Sequence, residues 1–327
     1  MTRTKKNHTT LFAKLAASEY KAHYDAACKR LISEKQILAR IMKYTLNEYK
    51  HLSIPRIIAC IEGNPVVGIE TVFPNTKMPV IRGDNTEDAS IDEGIVHFDI
   101  KFRALIPRSD ERKEIIINVE AQNNFYQKYP IIVRAIYYVS RMISSQYGTE
   151  FTNSEYEKIK KVASIWICPN PPKYRRNTIN RYRLKEEMIV GNTAEKVKNY
   201  DLLSVVLVCL GGPNQDNYNK LIKMLDVLLS STINHETKRQ ILETQFGIEM
   251  TEEIEEELDT MCNLSQGIED RGIRKGERNG QRKGVKKQAI RDIKNLMESF
   301  DISAVQAMEA LKIPKSKQKE YKRLILS

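Results

Sequence analysis

Two segments decide the reading of this chain. The first is Val96-His97-Phe98-Asp99-Ile100-Lys101-Phe102-Arg103. The second is Glu114-Ile115-Ile116-Ile117-Asn118-Val119-Glu120-Ala121-Gln122. Each alternates with period two, the signature of a strand. Val96, Phe98, Ile100 and Phe102 share one face of the first, and Ile115, Ile117, Val119 and Ala121 one face of the second. The turn segment Pro107-Arg108-Ser109-Asp110-Glu111-Arg112 joins them into an antiparallel hairpin. With the turn centred on Ser109 and Asp110, paired residue numbers sum to 219. Asp99 then lies opposite Glu120, His97 opposite Gln122 and Lys101 opposite Asn118. Directly opposed residues have Cβ atoms roughly 5 Å apart, so two carboxylates meet on one face and call for a cation between them. A divalent metal meets that need, and phosphodiester hydrolysis uses this arrangement. The bland alternative is a solvent-facing sheet surface on which Asp99 and Glu120 pair with Lys101 and Arg103.

Working outward, Ser33 starts a helical pattern running to Lys50, and Ser53 starts a second through Ile61. Residues 1–30 are polar and weakly patterned, and residues 74–94 read as a long loop. Pro130 and Gly148 frame a helix. Ser154–Lys161 forms an amphipathic stretch, and the apolar run Val162–Cys168 ends at Pro169-Asn170-Pro171-Pro172, which no strand crosses. Thr178–Met188 is β-like and Leu202–Leu210 is a buried-strand candidate. Helical spacing returns from Asn217 to Cys262. Two or three short helices close the chain near Gln288–Phe300, Ser303–Leu311 and Lys315–Leu326. The expected organisation is an N-terminal segment 1–32, a core 33–212, a helical region 213–264, a basic glycine-repeat linker 265–287 and a helical appendage 288–327.

The chain has 327 residues, 53 Lys+Arg against 42 Asp+Glu, a formal charge of +11 and 41% hydrophobic residues. That supplies enough apolar surface for a core and excludes wholesale disorder. The longest strongly apolar run is about half of a membrane span, and no apolar signal core follows the basic N-terminus, so neither a membrane partner nor secretion is expected. Five scattered cysteines without CxxC argue against a disulfide framework or zinc module and for a reducing, cytoplasmic setting. Residues 265–327 hold 16 basic and 8 acidic side chains, leaving +3 for residues 1–264. This excess favours an anionic partner such as nucleic acid.

The order of elements resembles the PD-(D/E)XK nuclease superfamily. The wording resembles its recombination-promoting nuclease and transposase branch, the Rpn family. The resemblance rests on Asn85-Thr86-Glu87-Asp88, Phe98-Asp99-Ile100, the run Ile117 to Gln122, Tyr129-Pro130 and Arg134-Ala135-Ile136-Tyr137-Tyr138. Ser140-Arg141-Met142-Ile143, Ser164-Ile165-Trp166-Ile167-Cys168 and Asn170-Pro171-Pro172 extend it. It covers residues 33–280 and is specific to the branch over 117–172. It implies an α/β fold with a restriction-endonuclease-like core, a central mixed sheet flanked by helices, and a C-terminal helical extension. It implies a metal-dependent DNA endonuclease linked to recombination or mobile elements, using Mg²⁺ or Mn²⁺. Asp99 and Glu120 would be metal ligands, with the Ala121 carbonyl as a third. Gln122 stands where the superfamily carries lysine; related branches also carry Gln there, and it would orient water or phosphate without adding charge. Superfamily members often add a glutamate from the first helix, for which Glu48 is the candidate.

His97, Lys101 and Arg134 are further accessory candidates, the first two from their place on the polar face. Arg134, Tyr137, Tyr138 and Arg141 form one helical stripe, read either as a phosphate-contacting face or as half-buried core with snorkelling arginines. The acidic stretch Asp84, Glu87, Asp88, Asp92 and Glu93 lacks the spacing of a calcium loop. Trp166 and Cys168 read as core. Arg271, Arg274, Lys275, Arg278, Arg282, Lys283, Lys286 and Lys287, interleaved with glycine every fourth residue, read as a flexible linker or a tether holding DNA through phosphate charge. The partner expected is DNA, with a nucleoid-associated location and a homo-oligomer left open. The alternative is a nucleic-acid- or partner-binding protein whose nuclease centre is weak or silent.

Overall fold

A computed structural model describes residues 22–68, 87–90, 94–107, 113–126, 128–212 and 219–325. The chain begins with helix α1 over residues 22–33, then α2 (Lys35–Thr45) and α3 (Ile54–Ile58). Strands β1 (Val66–Val67), β2 (Glu87–Ser90), β3 (Gly94–His97), β4 (Ile100–Leu105) and β5 (Glu114–Ala121) follow. Helix α4 (Ile131–Ser144), β6 (Lys161–Cys168), β7 (Thr178–Arg183), α5 (Val197–Tyr200) and β8 (Leu203–Cys209) complete the sheet region. The remainder is helical: α6 (Lys220–Leu228), α7 (His235–Phe246), α8 (Glu252–Phe300), α9 (Ala304–Ala310) and α10 (Lys315–Ile325).

The protein is α/β. Six strands form an open mixed sheet in the order β1-β4-β5-β6-β8-β7, and β2 pairs with β3 in a separate two-stranded ladder. The β4–β5 pair is antiparallel and its register runs from Ile100↔Val119 to Leu105↔Glu114, each pair summing to 219 as the turn position requires. β6 is parallel to both β5 and β8, and β7 is antiparallel at the edge. The near-continuous apolar sequences of β6 and β8 follow from burial on both faces. On one face Ile100, Phe102, Ile117, Val119, Ile165 and Val206 pack with residues of α1, α2 and α6. On the other, Ile116, Trp166, Cys168 and Leu207 pack under Ile131, Ala135, Tyr138 and Val139 of α4.

Several expectations change. Of the expected N-terminal segment 1–32, residues 1–21 lie outside the described residues, and in the described part Ala27, Cys28, Leu31 and Ile32 of α1 are buried in the main core. Ser33 is not the cap of α2; that helix is preceded by Glu34, and the Ser33 hydroxyl donates to the Arg30 carbonyl. The first strand of the hairpin is broken at Phe98 and Asp99. Phe98 meets Tyr138 edge-to-face, 5.3 Å between ring centroids, on the α4 side, whereas Ile100 and Phe102 face the other side. The break has a local cause, because the Asp99 N–H is bonded to the Glu120 carboxylate instead of a ladder partner. The loop expected over 74–94 contains strand β2, held by backbone pairing to β3 and not by apolar alternation; Asp84, Asp92 and Glu93 lie outside the described residues. The stretch Ser154–Lys161 forms no amphipathic helix; it contributes a 3-10 turn, Tyr156–Lys158, and Lys161 already begins β6.

The basic segment 265–287 is helical throughout, inside α8. Glycine costs about 1 kcal/mol per helical position relative to alanine, but the intervening Arg, Lys, Gln and Glu are good helix formers. The chain divides into two compact units, Met1–Ser265 and Gln266–Ser327. The second unit has its own core of Ile293, Ala307, Met308 and Tyr321. A capping box between Ser303 and Gln306 starts α9.

Candidate active site

The C-terminal end of β5 brings Asp99 and Glu120 together. The Asp99 N–H donates to Glu120 Oε1 at 3.0 Å, and the Ala121 N–H donates to Asp99 Oδ2 at 3.0 Å. Each acid is therefore fixed by the other strand's backbone, and both carboxylates lie at one spot. Ligands of open α/β sheets commonly bind outside the carboxyl ends of strands, which is where this pair lies. The polar face of the hairpin is not solvent-facing. Glu120 is 3% exposed and Asn118 fully buried, both on the face that α4 covers. Burial, with the adjacent Asp99 charge, pushes the Glu120 carboxyl up to about 8.

Two cations from opposite faces of the sheet flank the pair. Lys29 of α1 places Nζ 2.8 Å from Asp99 Oδ1. Arg134 of α4 lies over the rings of Tyr138 and Trp166, 5.0 and 5.3 Å from their centroids, and its Nη2 donates to the Tyr138 hydroxyl at 2.6 Å. Burial works against the Arg134 charge, but Tyr138 and Glu120 outweigh it and hold its pKa above the ordinary value. Gln122 is engaged at both ends of its amide: Nε2 donates to the Asn124 carbonyl at 2.9 Å, and Oε1 accepts from Arg134 Nη1 at 3.4 Å. Behind the pair, Asn118 Nδ2 and Trp166 Nε1 both donate to Ser164 Oγ, while Asn118 Oδ1 is a buried acceptor with no partner among the described residues.

The sequence candidates separate clearly. Asp99, Glu120, Ala121, Gln122 and Arg134 come together. Lys101 faces the same side, with Nζ 5.2 Å from the Phe98 ring centroid. Only the backbone of His97 is described, paired with Glu87 in the small ladder. Glu48 does not join the site. It is bonded to Lys161 at 2.7 Å, at the start of β6. Five residues of strand, roughly 16 Å at the usual rise, separate Lys161 from Trp166 beside Glu120. Arg103 pairs with Glu114 and Glu150, not with the acid pair. Tyr138 is core, whereas Tyr137 is 45% exposed. Trp166 and Cys168 are fully buried, and Cys168 pairs in register with Cys209.

Lys29 escaped the sequence reading. The signal was present in Ala27-Cys28 and Leu31-Ile32, whose spacing by four marks a buried helical stripe.

The donor set suits a hard divalent cation. Asp99 and Glu120 supply carboxylate oxygens. The N–H and C=O of one strand residue point to the same edge, so the Ala121 N–H bond to Asp99 directs the Ala121 carbonyl to the same side. The set is two acids and a backbone oxygen. Among the described residues, no group of three or more His, Cys, Asp and Glu side chains could hold a metal.

Compared with family models, with curated proteins and with solved structures, the chain matches none. Among the described residues, no helix is long and apolar enough to cross a membrane.

Proposed function

We propose that this protein is a metal-dependent endonuclease of the PD-(D/E)XK kind, with a restriction-endonuclease-like core and DNA as its substrate. The observation that carries the reading is the pair of bonds from the Asp99 N–H to Glu120 and from the Ala121 N–H to Asp99, which sets two carboxylates at the mouth of the sheet beside a backbone carbonyl. Asp99, Glu120 and the Ala121 carbonyl would hold Mg²⁺ or Mn²⁺. When bound, such an ion supplies a polarised phosphoryl group and an activated water. Glu120 would give up its proton on becoming a ligand. Gln122 holds Arg134 in place, so its role is to orient that guanidinium. Arg134 counters the charge of Glu120 and offers a fixed donor plane toward a phosphate.

The basic tail supports the same reading. Because 271–287 is helical, Arg271, Arg274, Lys275, Arg278, Arg282 and Lys286 recur at spacings of three and four and share one stripe of α8. A stripe of that kind suits sequence-independent contact with a phosphate backbone. Lys283 and Lys287 lie off that stripe and are exposed; Lys286 pairs with Glu320. A cytoplasmic, nucleoid-associated role in recombination or mobile elements belongs to this proposal.

The Lys29 ammonium on Asp99 favours a second reading, in which the acid pair is permanently neutralised and the protein binds nucleic acid without cutting it. Nicking of supercoiled DNA separates the two. The nuclease reading expects cleavage that requires Mg²⁺ or Mn²⁺ and stops on chelation. Retention of DNA with no cleavage under any divalent cation would favour the binding reading.

A further inference from the structure

We propose that Lys29 is an exchangeable counter-ion: it neutralises Asp99 while the acid pair holds no divalent cation, and turns to a substrate phosphate oxygen once the pair holds one. This rests on the nuclease reading and assigns a role to a residue outside its motif.

Lys29 comes from α1, on the face of the sheet opposite α4. Its Nζ lies 2.8 Å from Asp99 Oδ1, and the two side chains are 17% and 19% exposed. The contact is therefore at the accessible side of the pair, while Glu120 is sealed beneath α4 at 3% exposure. Two carboxylates this close need a positive charge. Gln122, the polar residue next along the strand face, provides none, and both ends of its amide are engaged. Arg134 is held by the Tyr138 hydroxyl and two ring faces, which fix it in one place. Lys29 differs in kind. An ammonium on a four-carbon stem is a compact charge with rotatable donors and can change partner by a rotamer change.

The electrostatics then work in sequence. With no divalent cation present, the ammonium offsets the acid pair. When the pair holds one, Asp99 no longer needs Lys29, and the two cations repel at this range. The nearest new anion is the phosphate drawn to the same spot. Lys29 thus competes with the divalent cation for Asp99 and afterwards adds positive charge to the phosphoryl group under attack.

The test uses the full chain and two readouts, Mn²⁺ affinity by titration calorimetry and nicking of supercoiled DNA. Lys29→Met is expected to bind Mn²⁺ about tenfold tighter, because the competing charge is gone, yet to nick at least about thirtyfold more slowly. Lys29→Arg restores part of the nicking. Lys29→Gln repeats both measurements if the Met variant does not fold. A loss of folding or site geometry lowers both readouts together, so opposite movement is the signature. Unchanged or weaker Mn²⁺ binding in Lys29→Met and Lys29→Gln, or nicking at the wild-type rate, overturns the proposal. A wild-type protein that binds Mn²⁺ through Asp99 but never nicks DNA overturns the nuclease reading separately. In that event the affinity arm alone decides the counter-ion: tighter binding in Lys29→Met upholds it and unchanged binding rejects it.

Discussion

Glu120 carries the highest electrostatic cost in the site. Burial and the Asp99 charge raise its pKa from the ordinary 4.5 to about 8. A raised folded-state pKa means that the folded protein binds a proton more tightly than the unfolded chain. The stabilisation is fully present below about pH 4.5 and is lost as pH rises through about 8. Metal-free wild type should therefore lose on the order of 3 kcal/mol between pH 5 and 8.5 relative to Glu120→Gln, which has no charge to bury. Urea unfolding at several pH values checks this, and parallel pH curves for the two proteins would count against the raised pKa of the buried Glu120. Asp99 and Glu120 were legible in the sequence because a strand's period of two and a fixed turn centre determine which side chains meet. Lys29 was not, because its contact with Asp99 spans two elements whose packing no local pattern encodes.

At the scale of elements, the hairpin register follows from the turn position, and the observed pairs from Ile100↔Val119 to Leu105↔Glu114 keep it throughout. The break at Phe98 and Asp99 was not legible, since it arises when side-chain oxygens replace ladder partners. Helix α4 was framed by Pro130 and Gly148, and it runs Ile131–Ser144 with Gly148 at φ 84°. Glu48 shows the converse failure: an acid on an early segment looked right by order alone, and the tertiary path took it to the far end of β6. Helix α8 overrode its glycines, which local propensity had marked as a linker. Its Gly280 and Gly284 are exposed, and a Cβ added to either meets nothing within 4 Å. Replacing both with alanine should raise the 222 nm ellipticity and stabilise the helix by about 1 kcal/mol per site. No change in ellipticity or thermal stability would indicate that this stretch is not helical in solution.

At the scale of the whole molecule, charge and chemistry are divided along the chain. The unit Met1–Ser265 contains the acid pair, and most of the +11 belongs to residues beyond 264. If the α8 stripe grips phosphates, changing Arg271, Arg274, Lys275 and Arg278 together to Gln should make binding to duplex DNA less sensitive to salt. The slope of log affinity against log salt should fall by up to about 0.9 for each phosphate no longer neutralised. The divalent-cation requirement for cleavage should stay as it is. An unchanged salt slope would contradict that division of labour.

As proposed, Asp99 and Glu120 would form a metal-dependent phosphodiesterase centre. Its most direct test is the rate of Mg²⁺-dependent nicking of supercoiled DNA by wild type and Asp99→Ala, compared at protein concentrations giving equal DNA occupancy. Asp99→Ala should nick about a hundredfold more slowly or worse while still binding DNA. Equal rates for the two proteins, or no nicking by either in Mg²⁺ or Mn²⁺, would contradict the account.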